Sequence, residues 1–93
     1  MVLLDLIGRR WALRVIFELR EGRRLNFRDL MTASGTSPSV LNTRLAELRA
    51  AGIVELTGDG YALTAEGADL GDKLLPLHAW AEAWAARGQR GHP

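Results

Sequence analysis

The 93-residue chain has no cysteine. That absence removes disulfides, thiolate metal sites and thiol redox sensing together, and it fits a reducing cytoplasm. Histidine is almost absent too. His92 lies near the C-terminus, and His78 lies in a helical stretch with no second ligand at metal spacing, so no metal is expected. His78 reads as a partly buried packing residue. No apolar run approaches the ~18 residues that a bilayer span needs. Met1–Asp5 has neither a basic leader nor a cleavage pattern, so a cytoplasmic protein with no membrane partner is expected. Gly-rich phosphate loops of the Walker or Rossmann kind are missing. Asp59, Asp69 and Asp72 do not make a calcium loop, and no Ser, His and Asp arrangement suggests a nucleophile. Neither enzyme activity nor a cofactor is expected.

The length suits one compact domain, and 47% hydrophobic residues are enough for a core. A domain this small gains from burial against a partner. Net charge is only +1, but it is unevenly spread. Residues 1–54 carry nine Arg against five acids, and residues 55–93 carry three basic residues against six acids. One basic and one acidic half suggest a charged working face, with an ordinary solvated surface as the alternative.

Apolar periodicity orders the chain. Leu4, Ile7, Trp11 and Val15, with Ala12, Ile16 and Leu19 beside them, predict one helix from Leu3 to about Arg20, ended by Gly22. Asn26 is placed to cap a short helix, Phe27 to about Ala33, and Ser34-Gly35-Thr36 is a turn. Ser37 with Pro38 opens a third helix, whose apolar face is Val40, Leu41, Leu45 and Leu48. Ile53–Leu56, the turn Thr57–Gly60 and Tyr61–Leu63 read as a hairpin. Thr64 caps a last helix to about Ala86, with a kink or break expected near Leu75 because of Pro76. The fold expected is mainly α with a small β-hairpin, a winged helix-turn-helix in the order helix-helix-helix-strand-strand-helix. It occupies residues 1–87, and residues 88–93 form a flexible tail.

The third helix is the candidate reader of DNA. Opposite its leucines stand small and polar residues that permit close approach to a major groove. Asn pairs with adenine N6/N7 and Arg with guanine O6/N7. Ser39, Asn42, Thr43 and Arg44 are the candidates for base edges. Ser37, Arg28 and Arg49 are the candidates for phosphates, Ser37 at a helix N-terminus that itself attracts anions. Arg23 and Arg24 are either further backbone contacts or surface charges paired with Glu21 and Asp29. A plain amphipathic surface helix is the alternative for the reader.

Several segments also resemble the HxlR-type winged-helix regulators. They are Leu6-Ile7-Gly8-Arg9-Arg10-Trp11 with Ile16 to Gly22, Phe27-Arg28-Asp29-Leu30, Val40 to Leu48 with Ala51-Gly52-Ile53-Val54, and Tyr61 to Gly67. The resemblance covers roughly residues 5–87. It implies a dimeric transcriptional regulator on double-stranded DNA, its first and last helices building the homodimer. Leu3, Leu4, Ile7, Leu77, Trp80 and Trp84 are then the interface residues. The pattern departs in two ways. The family usually carries a cysteine before its first helix, and this chain has none for sensing. Its wing is usually longer and often basic, whereas here the tip is Thr57-Gly58-Asp59-Gly60 beside Glu55, which phosphate repels.

Two other readings compete. One is a winged helix that binds only a partner protein, as the weak net charge and acidic wing suggest. The other is a sensor of a small-molecule effector, its pocket at the dimer interface and lined by Trp11, Trp80 and Trp84. In the DNA reading, Asn42→Ala relaxes operator preference and costs ~1–3 kcal/mol if Asn42 makes a bidentate base contact. An unchanged ranking of operator variants in competition binding would remove Asn42 from the reading set.

Overall fold

The computed structural model describes residues 2–88. The order is α1 (Val2–Ile7), α2 (Ala12–Glu18), a 3-10 turn (Arg20–Gly22), α3 (Phe27–Ser34), α4 (Pro38–Ala50), β1 (Val54–Thr57), β2 (Gly60–Leu63) and α5 (Ala65–Gly88). This is the winged helix-turn-helix arrangement expected from the sequence. The tail expected over 88–93 lies outside the described residues, as does His92, except that Gly88 is the last residue of α5.

Local signals account for most boundaries. The Asn26 side chain accepts the Asp29 N–H at 2.8 Å and starts α3. Gly35, at φ 75°, ends it in the left-handed conformation that favours glycine. The Ser37 hydroxyl accepts the Val40 N–H at 3.3 Å, with Pro38 at the first helical position of α4. Thr64 starts α5 by accepting the Gly67 N–H at 3.0 Å.

One expectation fails, and a second fails in part. The single first helix is two helices, because the chain turns between Ile7 and Ala12. Gly8, a poor helix former, donates to Leu4 O, and Trp11 then takes a left-handed φ of 76°. Leu4 and Ile7 are thereby taken off the stripe of Val15 and Leu19, and Leu4 is 58% exposed. At the other end α5 runs without a break through Pro76. The missing proline N–H costs one helical hydrogen bond, and the exposed position gives the freed carbonyl access to water.

The core joins Val15 and Ile16 of α2 and Leu19 at its C-cap with Leu30 of α3, Leu41, Leu45 and Leu48 of α4, Val54 of β1 and Leu74 of α5. Each fully buried leucine contributes about 1.5–3 kcal/mol relative to exposure. β1 and β2 pair antiparallel, Val54 with Leu63 and Thr57 with Gly60. Leu25 adds a short third edge, exchanging backbone hydrogen bonds with Tyr61 at 2.8 and 3.1 Å. That edge lies so close that a Cβ on Gly60, at φ 123°, would come within 2.7 Å of the Leu25 carbonyl oxygen.

Gly67 locks α5 to the hairpin. A Cβ there would overlap the Ile53 carbonyl, which accepts the Thr64 N–H. Gly→Ala inside a helix ordinarily stabilises by up to about 1 kcal/mol. Here Gly67→Ala is expected to destabilise by about 1–3 kcal/mol, measured by chemical denaturation. A gain in stability would show that α5 packs on β1 more loosely than described.

Candidate nucleic-acid interface

The buried face of α4 sets what its other face presents. Leu41, Leu45 and Leu48 enter the core, so Ser39, Asn42, Thr43, Ala46 and Ala50 lie exposed in one strip. The Thr43 hydroxyl donates to the Ser39 carbonyl at 3.0 Å, which leaves its lone pairs facing out. Asn42 keeps both amide functions for a ligand, since no side-chain hydrogen bond engages it among the described residues. Small residues at 46 and 50 leave the strip low enough for close approach.

Arg44 does not join that strip. Two positions beyond Asn42 is more than half a helical turn, so the two side chains leave α4 on different sides. The Arg44 side chain is only 16% exposed, and its Nε lies 3.3 Å from Glu47 Oε1. The pair is close, but neither atom completes a hydrogen bond. The sequence places Arg44 among the base readers; the structure turns it toward the α1–α2 turn. The other three, Ser39, Asn42 and Thr43, are brought together.

The phosphate candidates lie at the two ends of α4 and at the start of α3. Ser37 uses a lone pair to cap α4 and keeps its proton to donate. Arg49 is exposed in the last turn of α4, and Arg28 is exposed in the first turn of α3. The other arginines are partnered differently from expectation. Arg23 lies 3.5 Å from the buried Glu18, which also holds Arg14 at 2.9 Å. Arg14 in turn donates to the Ala33 carbonyl at 3.2 Å and ties α2 to the end of α3. Arg24 donates to Asp59 at 3.0 Å, so the wing's one acid at its tip is paired with a cation. The wing is therefore less repulsive than its sequence implies.

The sequence did not reveal that the α1–α2 turn reaches α4. Arg9 Nε lies 3.6 Å from Glu47 Oε2. Arg10, Trp11, Thr36, Ser37, Val40 and Arg44 line an open cleft of about 420 Å³ at the first turn of α4. Gly8 was the available signal, hidden by an apolar period that continues across it.

Of the expected interface residues, Leu3, Leu4, Leu77, Trp80 and Trp84 are exposed, and Ile7 is half-buried against the core. The Trp80 and Trp84 rings stack, 6.4 Å apart and 11° from parallel. Trp11 is elsewhere, under the Arg10 guanidinium at 5.4 Å, so the three tryptophans do not share a pocket. His78 packs on Phe17, with ring centres 5.2 Å apart. On α5, the Asp69 carboxylate raises the pKa of the Lys73 ammonium, through a hydrogen bond of 2.8 Å and its charge. Among the described residues no helix is long and apolar enough to cross a membrane.

Similarity to known proteins agrees with this geometry. No curated protein matches the chain closely enough to count as a relative. Solved structures are similar, three of them as follows. One is a protein of Thermoplasma volcanium described as a possible HxlR family transcriptional factor, 29% identical, with a TM-score of 0.84 over 91% of this chain and 83% of that one. Quinone-bound YodB of Bacillus subtilis is 31% identical, with a TM-score of 0.76 over 88% of this chain and 93% of its own. A protein of Enterococcus faecalis described as a transcriptional regulator of the MarR family is also 31% identical, with a TM-score of 0.74 over 96% and 87%. The HxlR-like helix-turn-helix family profile matches residues 6–89. With that match and the winged helix-turn-helix built around α3 and α4, the chain belongs to the HxlR-like helix-turn-helix family.

Proposed function

We propose that the protein is a sequence-specific transcriptional regulator that binds double-stranded DNA as a homodimer, with α4 of each protomer in a major groove. The observation that carries this reading is the exposed strip of Ser39, Asn42 and Thr43 on a helix held by three buried leucines, in a chain of this family. Ser39, Asn42 and Thr43 are assigned to base edges, and Arg28, Ser37 and Arg49 to phosphates. Arg44, turned toward Glu47, is left out of the base set. Two-fold symmetry would put half-site centres about 34 Å apart, one helical turn.

The dimer reading rests on Leu3, Leu4, Leu77, Trp80 and Trp84. Exposed leucines and tryptophans clustered on terminal helices favour burial against a second copy. Residues 2–88 then act as one unit, in which α1 and α5 join protomers and α3 and α4 meet DNA. A small-molecule effector is a second reading, favoured by the quinone-bound state of the B. subtilis relative. Without cysteine, an effector of this chain would not be held as a thiol adduct.

Fluorescence anisotropy on promoter and unrelated duplexes tests the DNA reading. Tighter promoter binding, with log affinity falling steeply against log salt, is expected. Absence of binding at low salt would overturn the reading in favour of a protein-interaction module. Sedimentation equilibrium tests the dimer. The wild type is expected at twice the chain mass, and Leu77→Asp with Trp80→Asp at the chain mass, with a weakened promoter complex. A monomeric wild type at working concentration would contradict it.

A further inference from the structure

We propose that the cleft between the α1–α2 turn and the first turn of α4 seats one phosphodiester group of the DNA backbone, held by Arg10, Arg44 and the Thr36 hydroxyl. The inference rests on the DNA reading above and adds a contact that the sequence did not suggest.

The polar side chains on the wall are two guanidiniums and two hydroxyls, from Arg10, Arg44, Thr36 and Ser37, with no carboxylate among them. Guanidiniums only donate, and hydroxyls can, so the complement is an anion rich in acceptors. The structure leaves donors there unmatched. Thr36 is 9% exposed, and its Oγ1 is shielded from solvent without a hydrogen-bond partner. Arg44 Nε is likewise buried without a hydrogen bond, despite Glu47 nearby. An unmet buried polar group is costly and calls for a partner. At the helix start Pro38 has no N–H, while Ser37 accepts those of Val40 and Leu41. The Ser39 N–H is the remaining amide of that turn, and it adds to the positive end of the helix dipole.

The backbone supports the same assignment. Trp11 adopts φ 76°, an uncommon conformation for a bulky residue, and the turn it makes brings Arg10 to α4. Strain of this kind persists where a working geometry requires it.

The shape favours a DNA strand over a free anion. The cleft, at about 420 Å³, is larger than one tetrahedral ion, and Trp11 and Val40 give it apolar walls. A phosphate with its adjoining deoxyribose presents one charged and one carbon-rich surface, which matches both kinds of wall. The cleft is also open and adjoins the exposed strip that begins at Ser39, so a strand flanking the groove passes over it.

Arg10 is exposed, so its replacement leaves the core intact. In anisotropy titrations, Arg10→Ala is expected to weaken promoter and scrambled duplexes alike, by about tenfold. Its salt slope should be shallower by about 0.9, the signature of one lost phosphate contact. Thr36→Val is expected to weaken binding less, with the slope kept, and Arg87→Ala on distant α5 to change neither. One uncharged methylphosphonate at the contacted linkage should reproduce the loss in wild type and add nothing in Arg10→Ala. Unchanged affinity and slope for Arg10→Ala on duplexes that the wild type binds would overturn the phosphate seat alone. A loss on the promoter but not on scrambled duplex would also overturn it, by making Arg10 a base reader. If the wild type binds no duplex, the DNA reading fails and the seat falls with it.

Discussion

The packing of Leu41, Leu45 and Leu48 into the core formed by Val15, Ile16 and Leu19 governs the rest of the structure. These three leucines give α4 one narrow apolar edge, while most of its circumference is polar or small. Free in water such a helix would have little reason to choose a face, or to form at all. Buried, it has one rotation, and that rotation decides that Ser39, Asn42 and Thr43 point out and Arg44 points back. Truncating any of the three to alanine would cost on the order of 2–5 kcal/mol, a large share of what so small a domain has. The working face of the protein is therefore set from behind, by residues that never reach solvent.

Charge is arranged around that face with little waste. Two acids of α4 and the wing are taken up by arginines: Glu47 by Arg9 and Arg44, and Asp59 by Arg24. An exposed pair such as Arg24–Asp59 adds only about 0–1 kcal/mol to stability. Its larger effect is on the field, because a paired carboxylate repels phosphate less than a free one. Glu18 differs, being buried between Arg14 and Arg23. Through Arg14 and the Ala33 carbonyl it links α2 to the end of α3, and so steadies the first half of the helix-turn-helix. A net charge of +1 thus coexists with a locally basic approach to α4.

How much of this is legible in the sequence depends on the range of the interaction responsible. Asn26, Ser37 with Pro38, and Thr64 are local signals, since each cap bonds an amide within three residues, and each starts a helix where expected. Three buried leucines at helical spacing likewise disclose the hidden side of α4. The turn at Gly8–Trp11 was not legible, because Leu4, Ile7, Trp11 and Val15 keep helical spacing across a segment that is not helical. Pro76 does not break α5, because the carbonyl it frees lies at an exposed position open to water. The surroundings of Arg44 and Arg24 were not legible for a third reason. Their partners, Glu47 beside Arg9 and Asp59 at the wing tip, are set by tertiary placement of the α1–α2 turn and the hairpin, which no local pattern encodes.

The claim that most needs a direct test is that the exposed strip of α4 is the surface that meets DNA. Amide NMR titration of the isotope-labelled protein with promoter duplex would examine every element at once. The account predicts that the largest shifts fall on Ser39, Asn42, Thr43 and Ala46, with smaller ones at the start of α3 and little change at the buried α2. Shifts concentrated on the Trp80–Trp84 half of α5, with α4 unmoved, would contradict it.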